Sequence, residues 1–209
     1  MGKYFGTDGF RGEANVELTA EKAFRVGRFI GWYYGQNHRA SVVIGKDTRR
    51  SSYMFESALC AGLTASGADA CLLHVTSTPS VSYITRADHF DCGIMISASH
   101  NPYYDNGIKL IDSEGDKMEE ALLNGIEEYL DSDKSLPYAL GAEIGQTIDY
   151  AAGRNRYIGY LISLGLYSFK DMKVGLDCAN GASYQTAFKA LNKLGANVPP
   201  HPPPLFVAV

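Results

Sequence analysis

Between residues 20 and 36 apolar side chains recur at the helical period, with Ala23, Gly27, Ile30 and Tyr34 on one face and Thr19 placed to cap the first turn. Ser41-Val42-Val43-Ile44-Gly45 is apolar at consecutive positions, which predicts a strand buried on both faces. A helix follows, capped near Ser51 or Ser52 and stopped at Gly67. Further apolar runs at residues 70–75, 92–97 and 108–111 predict three more strands, with a Thr/Ser/Pro turn and a short helix reaching Arg86 between the first two. Apolar strands alternating with helices predict a layered mixed α/β sheet domain with helices on both faces.

An acidic helix over 117–130 closes this unit, and a looser Asp/Ser/Pro/Gly stretch covers 131–145. A helix at 149–164, a strand at 172–177, the turn Cys178-Ala179-Asn180-Gly181-Ala182 and a helix ending at Gly195 read as the incomplete start of a second, similar domain. The predicted division is therefore 1–148, 149–198 and a tail, 199–209, which holds five of the eight prolines. Proline cannot donate to a sheet ladder, so the tail cannot supply a further central strand. It reads as a polyproline-like segment with an apolar tip.

Composition narrows the function classes. The chain has 209 residues and a formal net charge of −4, which argues against a general nucleic-acid or anionic-membrane binder. No apolar run approaches the ~18 residues of a membrane span, and the first residues have no signal-peptide core. Gly6 stands where a myristoylation motif needs Ser or Thr. Cys60, Cys71, Cys92 and Cys178 form no CxxC pair, consistent with free thiols in a reducing cytoplasm. Charge is uneven: residues 112–149 hold eleven acids against Lys117 and Lys134, leaving the rest of the chain net basic. Its cations stand in Gly- and Ser-bearing turns, where ligands are held.

No P-loop, GxGxxG, HExxH or GxSxG signature is present. The densest chemistry runs from Ser97 to Lys109, leaving the C-terminal end of a predicted strand, where open α/β sheets place ligands. Its Ser, Asn, Pro, Asp and Gly residues are also ordinary turn formers, and Asn106-Gly107 alone would make a tight turn. Ser99 beside His100 fits a phosphoryl carrier better than a hydrolase triad, because neighbouring side chains diverge. Such a carrier needs cations and an acid/base group nearby. Gly6-Thr7-Asp8-Gly9-Phe10-Arg11-Gly12 and Gly45-Lys46-Asp47-Thr48-Arg49-Arg50-Ser51-Ser52 are turns of matching character. Together they suggest an anionic, phosphorylated ligand.

The loop Ser97-Ala98-Ser99-His100-Asn101-Pro102, with Asn106-Gly107-Ile108-Lys109 behind it, resembles the phosphoserine loop of the α-D-phosphohexomutases. Gly6–Gly12, Gly45–Arg49 and Asp177–Ala182 match that superfamily in order and spacing. The early Gly-Thr-Asp-Gly and Ala98 before the serine look most like the bacterial phosphoglucosamine mutases. The resemblance implies that Ser99 carries the phosphoryl group and, through its phosphate, gives one ligand to Mg²⁺. His100 and Lys109 would serve acid/base work and charge stabilisation, Arg11 would face the phosphoserine, and Arg11, Lys109 and Arg49 would contact phosphate. It further implies interconversion of glucosamine 6-phosphate and glucosamine 1-phosphate through a bisphosphate. Glucosamine or glucose 1,6-bisphosphate would act as activator, in cytoplasmic amino-sugar and UDP-N-acetylglucosamine biosynthesis.

The family's Asp-Gly-Asp-x-Asp-Arg magnesium loop and its later sugar- and phosphate-binding loops are missing, and the pattern stops after Val198. The expectation is thus an N-terminal portion, as a frameshift or misjoined gene would give, without turnover by itself. Two readings stand beside it: a phosphomannomutase/phosphoglucomutase fragment, and a non-catalytic phosphosugar-binding or regulatory module.

Overall fold

The computed structural model describes residues 2–199. One seven-stranded sheet carries the order β1-β2-β6-β5-β3-β4-β7. The strands are β1 (Phe5–Gly6), β2 (Gly9–Glu13), β3 (Ser41–Lys46), β4 (Asp69–Val75), β5 (Cys92–Ile96), β6 (Asp105–Ile111) and β7 (Thr147–Asp149). β3 is parallel to β4 and β5, and β4 to β7, whereas β5–β6, β6–β2 and β2–β1 are antiparallel. Helices α1 (Ala20–Tyr34), α2 (Arg50–Ala65), α3 (Thr78–Ala87), α4 (Glu120–Asp131), α5 (Ala151–Ser163) and α6 (Tyr184–Lys193) complete the described chain.

Side chains alternate across the strands, so consecutive apolar residues feed two cores. Val42, Ile44, Ile94, Ile96 and Ile108 pack with Ile30 of α1, Phe55 and Leu59 of α2, and Ile126 of α4. Val43, Leu73, Met95 and Ile111 pack with Val81 and Ile84 of α3 and Tyr157 of α5. Each of these burials is worth about 1.5–3 kcal/mol. The Thr19 hydroxyl caps α1 by accepting from the Lys22 amide at 3.2 Å.

α1 and α2 cross at contact distance because glycines line the seam. A Cβ on Gly62 would lie 2.2 Å from the Phe24 carbonyl oxygen, and one on Gly27 2.5 Å from that of Leu59. Alanine normally favours a helix by about 1 kcal/mol over glycine. Here the backbone contact reverses the sign: Gly62→Ala should lower stability by about 1–3 kcal/mol. Urea unfolding checks it, and a midpoint at or above that of the parent chain would refute the close-packing account.

Several expectations need correction. Asn106-Gly107 is strand, not turn: β6 starts at Asp105, three residues before the predicted edge. The Asn106 side chain is fully buried and replaces lost solvent, donating to the hydroxyls of Ser51 and Ser52 at 2.9 and 3.0 Å and accepting from the Gly107 amide at 2.8 Å. Residues 6–12 form the hairpin β1–β2, not an open loop, because β6 offers β2 a partner. α2 begins at Arg50 with Arg49 as N-cap, ahead of Ser51 and Ser52. β7, at residues 147–149, lies between the stretch read as loose and the predicted helix, where no strand was expected, and it pairs with the far edge of β4. Residues 172–177 form no ladder, only the bridge Lys173–Asn197, since no described strand lies beside them.

The expected division at residue 148 falls within β7, and the α5 that follows packs onto β4 and α3 through Tyr157. Beyond Pro199, the proline-rich tail lies outside the described residues. Cys60, Cys71 and Cys92 are buried free thiols, and burial pushes the Cys60 and Cys71 thiols up to about 11. No helix of the described residues is long and apolar enough to cross a membrane.

Candidate active site

β3 and β5 run side by side and end together, with Lys46 opposite Ile96. β6 is antiparallel to β5 and β2 to β6, so β6 begins and β2 ends at that same edge. The turn after β3, the loop after β5 and the hairpin strand bearing Arg11 therefore converge. The convergence follows from topology alone.

Ser99 stands three residues beyond β5, exposed, with φ of 58°, in the left-handed region. For a residue with a Cβ this costs about 1–3 kcal/mol, and such backbone strain concentrates at functional sites. The Ser99 amide donates to the Ser97 hydroxyl at 3.0 Å. The Ser99 hydroxyl lies 3.4 Å from His100 Nδ1, long for a hydrogen bond. The two side chains, expected to diverge as sequence neighbours, instead come together, and neither is buried.

Arg49 reaches across from the turn after β3. Its Nη2 donates to the carbonyls of Ser99 and Asn101, each at 2.9 Å. Its Nη1 donates to the carbonyls of Pro102 and, at 3.0 Å, Asp105. Its Nε donates to Asp47 at 2.9 Å. A guanidinium has five N–H groups, so none is left for a ligand. Arg49 was expected to contact phosphate; this geometry gives all its donors to protein oxygens.

Arg11 approaches the loop from β2. Its Nη1 donates to Asn101 Oδ1 at 3.2 Å, and its Nη2 pairs with Asp8 at 3.2 Å. Its Nε is buried without a partner. Asn101 in turn donates to Asp105 at 2.9 Å, bridging Arg11 to the start of β6. Gly107, opposite Arg11 in the ladder, permits the approach, since a Cβ there would sit 3.1 Å from Arg11 Cγ and 2.7 Å from the Ser97 carbonyl oxygen. Burial and, next, the Arg11 guanidinium lower the pKa of Lys109, against the opposing pull of Asp8 and Asp47. Among the described residues no carboxylate forms an ion pair with Lys109. Its side chain borders a cavity of about 210 Å³ that Thr7, Asp8 and Lys117 also line.

Ser99, His100, Arg11 and Lys109 thus share one edge of the sheet, and Arg49 supports it from within. Sequence reasoning passed over Asp47, Ser97 and Asn101 as site residues. Asp47 had a readable signal, an acid just before a helix start and two positions from an arginine; the bridging role of Asn101 had none. A magnesium ion would need several oxygen ligands. Among the described residues no cluster of three or more His, Cys, Asp or Glu side chains could hold a metal. The nearby carboxylates, Asp47 and Asp105, are taken up by Arg49, Ser52 and Asn101. These residues alone do not fit a magnesium site.

The turn Asp177–Ala182 reaches this edge too, through a hydrogen bond from the Thr48 hydroxyl to the Asn180 carbonyl.

Comparison with known proteins agrees with this arrangement. Residues 2–136 match the family model described as phosphoglucomutase/phosphomannomutase, alpha/beta/alpha domain I. A phosphoglucosamine mutase of Lachnospira eligens is 66% identical over 200 residues, which cover 94% of this chain and 44% of that protein. One from Lachnoclostridium phytofermentans is 64% identical over 197 residues, with the same two coverages. The chain thus spans less than half the length of these relatives. A crystal structure of a phosphoglucomutase/phosphomannomutase family protein from Burkholderia thailandensis superposes with a TM-score of 0.78 over 93% of this chain and 43% of the other. At 22% identity that likeness speaks for the fold. A mixed sheet with helices on both faces, residues 2–136 matching domain I and two relatives above 60% identity lead to one assignment: the chain belongs to the phosphoglucomutase/phosphomannomutase family.

Proposed function

We propose that this chain carries the phosphoserine unit of a phosphoglucosamine mutase, which converts glucosamine 6-phosphate to glucosamine 1-phosphate through a bisphosphate. The observation that carries the reading is Ser99, held exposed in a left-handed backbone at a strand mouth, with two cations on the neighbouring strands. The sugar preference follows the two relatives above 60% identity, both phosphoglucosamine mutases.

In the forward half-reaction a sugar hydroxyl oxygen attacks the phosphorus on Ser99. The new P–O bond forms as the P–Oγ bond breaks, and the electron pair returns to Oγ. The sugar hydroxyl gives up its proton, and the Ser99 oxygen regains one. His100 stands beside Oγ for this exchange. Lys109 and Arg11 offset the charge on the transferring oxygens, a term worth most where water is partly excluded. No step is assigned to a metal, for which these residues make no site.

Incubating an enzyme that joins this chain to the remaining domains of a relative with Mg²⁺ and glucosamine 1,6-bisphosphate, and mapping peptides by mass, tests the reading. One phosphoryl group on Ser99, absent from Ser99→Ala, is the expected outcome. Phosphate on another serine, or none with a complete relative labelled in parallel, would refute it.

The domain division belongs to the same proposal. Residues 1–148 hold the phosphoserine chemistry and residues 149–198 open a second unit, whose first helix, α5, docks onto β4 and α3 and so shares the first unit's protection up to Ser163. Leu164, Leu166 and Tyr167 are 56, 86 and 80% exposed, and few backbone bonds hold this stretch. Brief chymotrypsin digestion should cut first between residues 164 and 172 and leave a stable fragment ending near Ser163. A first cut inside residues 20–130 would contradict the division.

A further inference from the structure

We infer that Arg49 is a positioning residue that sets the backbone of Ser99, and that it binds no phosphate. The inference rests on the reading of Ser99 as phosphoryl carrier only for its functional meaning; the geometry stands without it. Four carbonyls of the loop, those of Ser99, Asn101, Pro102 and Asp105, converge on one guanidinium. Each carbonyl fixes the plane of the peptide that follows it. With the peptide after Ser99 tied to Arg49 and the peptide before it tied to the Ser97 hydroxyl, both backbone dihedrals of Ser99 are determined. The direction of its Cα–Cβ bond, and hence the reach of Oγ, follows from those two dihedrals. A left-handed serine would otherwise relax to an ordinary conformation.

Arg49 is itself held. Its side chain is 10% exposed, and Asp47 accepts from both its Nε and its backbone amide. Asp47 also accepts from the Ser52 hydroxyl at 2.7 Å, and that hydroxyl accepts from Asn106 at the root of β6. The loop thus rests on a chain of polar contacts running into α2 and β6. Lysine cannot replace arginine here, because an ammonium offers three donors in a tetrahedral array, not a planar fork.

The test uses the chain without substrate, so its outcome is independent of whether Ser99 accepts phosphate. In Arg49→Lys, the ¹³Cα and ¹³Cβ shifts of Ser99 should move from left-handed values toward ordinary ones. Exchange of the Ser99, Asn101 and Asp105 amides should quicken by ~10-fold or more, while Ile94 and Ile96 of β5 keep their protection. Asp47→Asn, which weakens the hold on Arg49 and leaves its charge, should produce the same changes to a smaller degree and covers the case that Arg49→Lys fails to fold. Unchanged Ser99 shifts and loop exchange in either folded variant would overturn the inference. So would protection of the loop by inorganic phosphate that is lost in Arg49→Lys while the Ser99 shifts stay left-handed, since that would return Arg49 to phosphate binding.

Discussion

Replacing Ser99 with alanine in an enzyme that carries this site is expected to lower phosphoryl transfer by at least ~10⁴-fold, the scale seen when a covalent nucleophile is removed. The fold should survive with stability within about 0.5 kcal/mol, because the side chain is exposed and its hydroxyl makes only the long His100 contact. A companion substitution separates strain from chemistry. Ser99→Gly removes the same hydroxyl but accepts the φ of 58° without cost, so it should be more stable than Ser99→Ala by about 1 kcal/mol. Coupled turnover and thermal melts on the pair read both effects. Near-parental turnover in either variant would dismiss Ser99 as carrier.

Lys109→Met is expected to lower kcat and kcat/KM together by ~10²- to 10³-fold, as for other groups that stabilise charge in the transition state. Its effect on stability has the opposite sign. Burial and Arg11 lower the Lys109 pKa, so the fold binds this proton less well than the unfolded chain does. The protonated side chain therefore costs stability at neutral pH. That cost fades as pH rises from the lowered pKa to the ordinary lysine value, where the unfolded chain holds more protons than the fold. Lys109→Met should melt above the parent at pH 7, with the difference shrinking on the alkaline side. Parental activity should fall over the same interval, as the ammonium loses its proton. If Lys109→Met changed the melt alone and left kcat intact, the lysine would be a fold residue and not a site residue.

The parallel half of the sheet was legible because β3, β4 and β5 are buried on both faces and declare themselves as apolar runs. The antiparallel half was not. β2 carries Arg11 and two glycines among five residues, and β6 opens with Asp105, Asn106 and Gly107; these polar and flexible residues read as turns. They become strand because each supplies the other's missing partner, which no local window contains. In the site, Ser99, His100, Arg11 and Lys109 stood out by chemistry and resemblance, and the fold brings them to one edge. Arg49 was legible as a cation near that edge, but its partners are backbone carbonyls fifty and more residues away, and carbonyls leave no mark in a sequence.

The N-terminal hairpin has a consequence for the order in which the molecule is made. β2 leaves the ribosome well before β6, its ladder partner, and Arg11 finds Gly107 only after about a hundred further residues are synthesised. The hairpin then needs α4, where Glu127 accepts from the backbone amides of Lys3, Tyr4 and Phe5 at 2.7–2.8 Å. A nascent chain that has completed β3, β5 and the Ser99 loop already displays its nucleophile while Arg11 is still unplaced. Reactivity would therefore switch on late in biosynthesis, when the first strands dock against the last helix of that core.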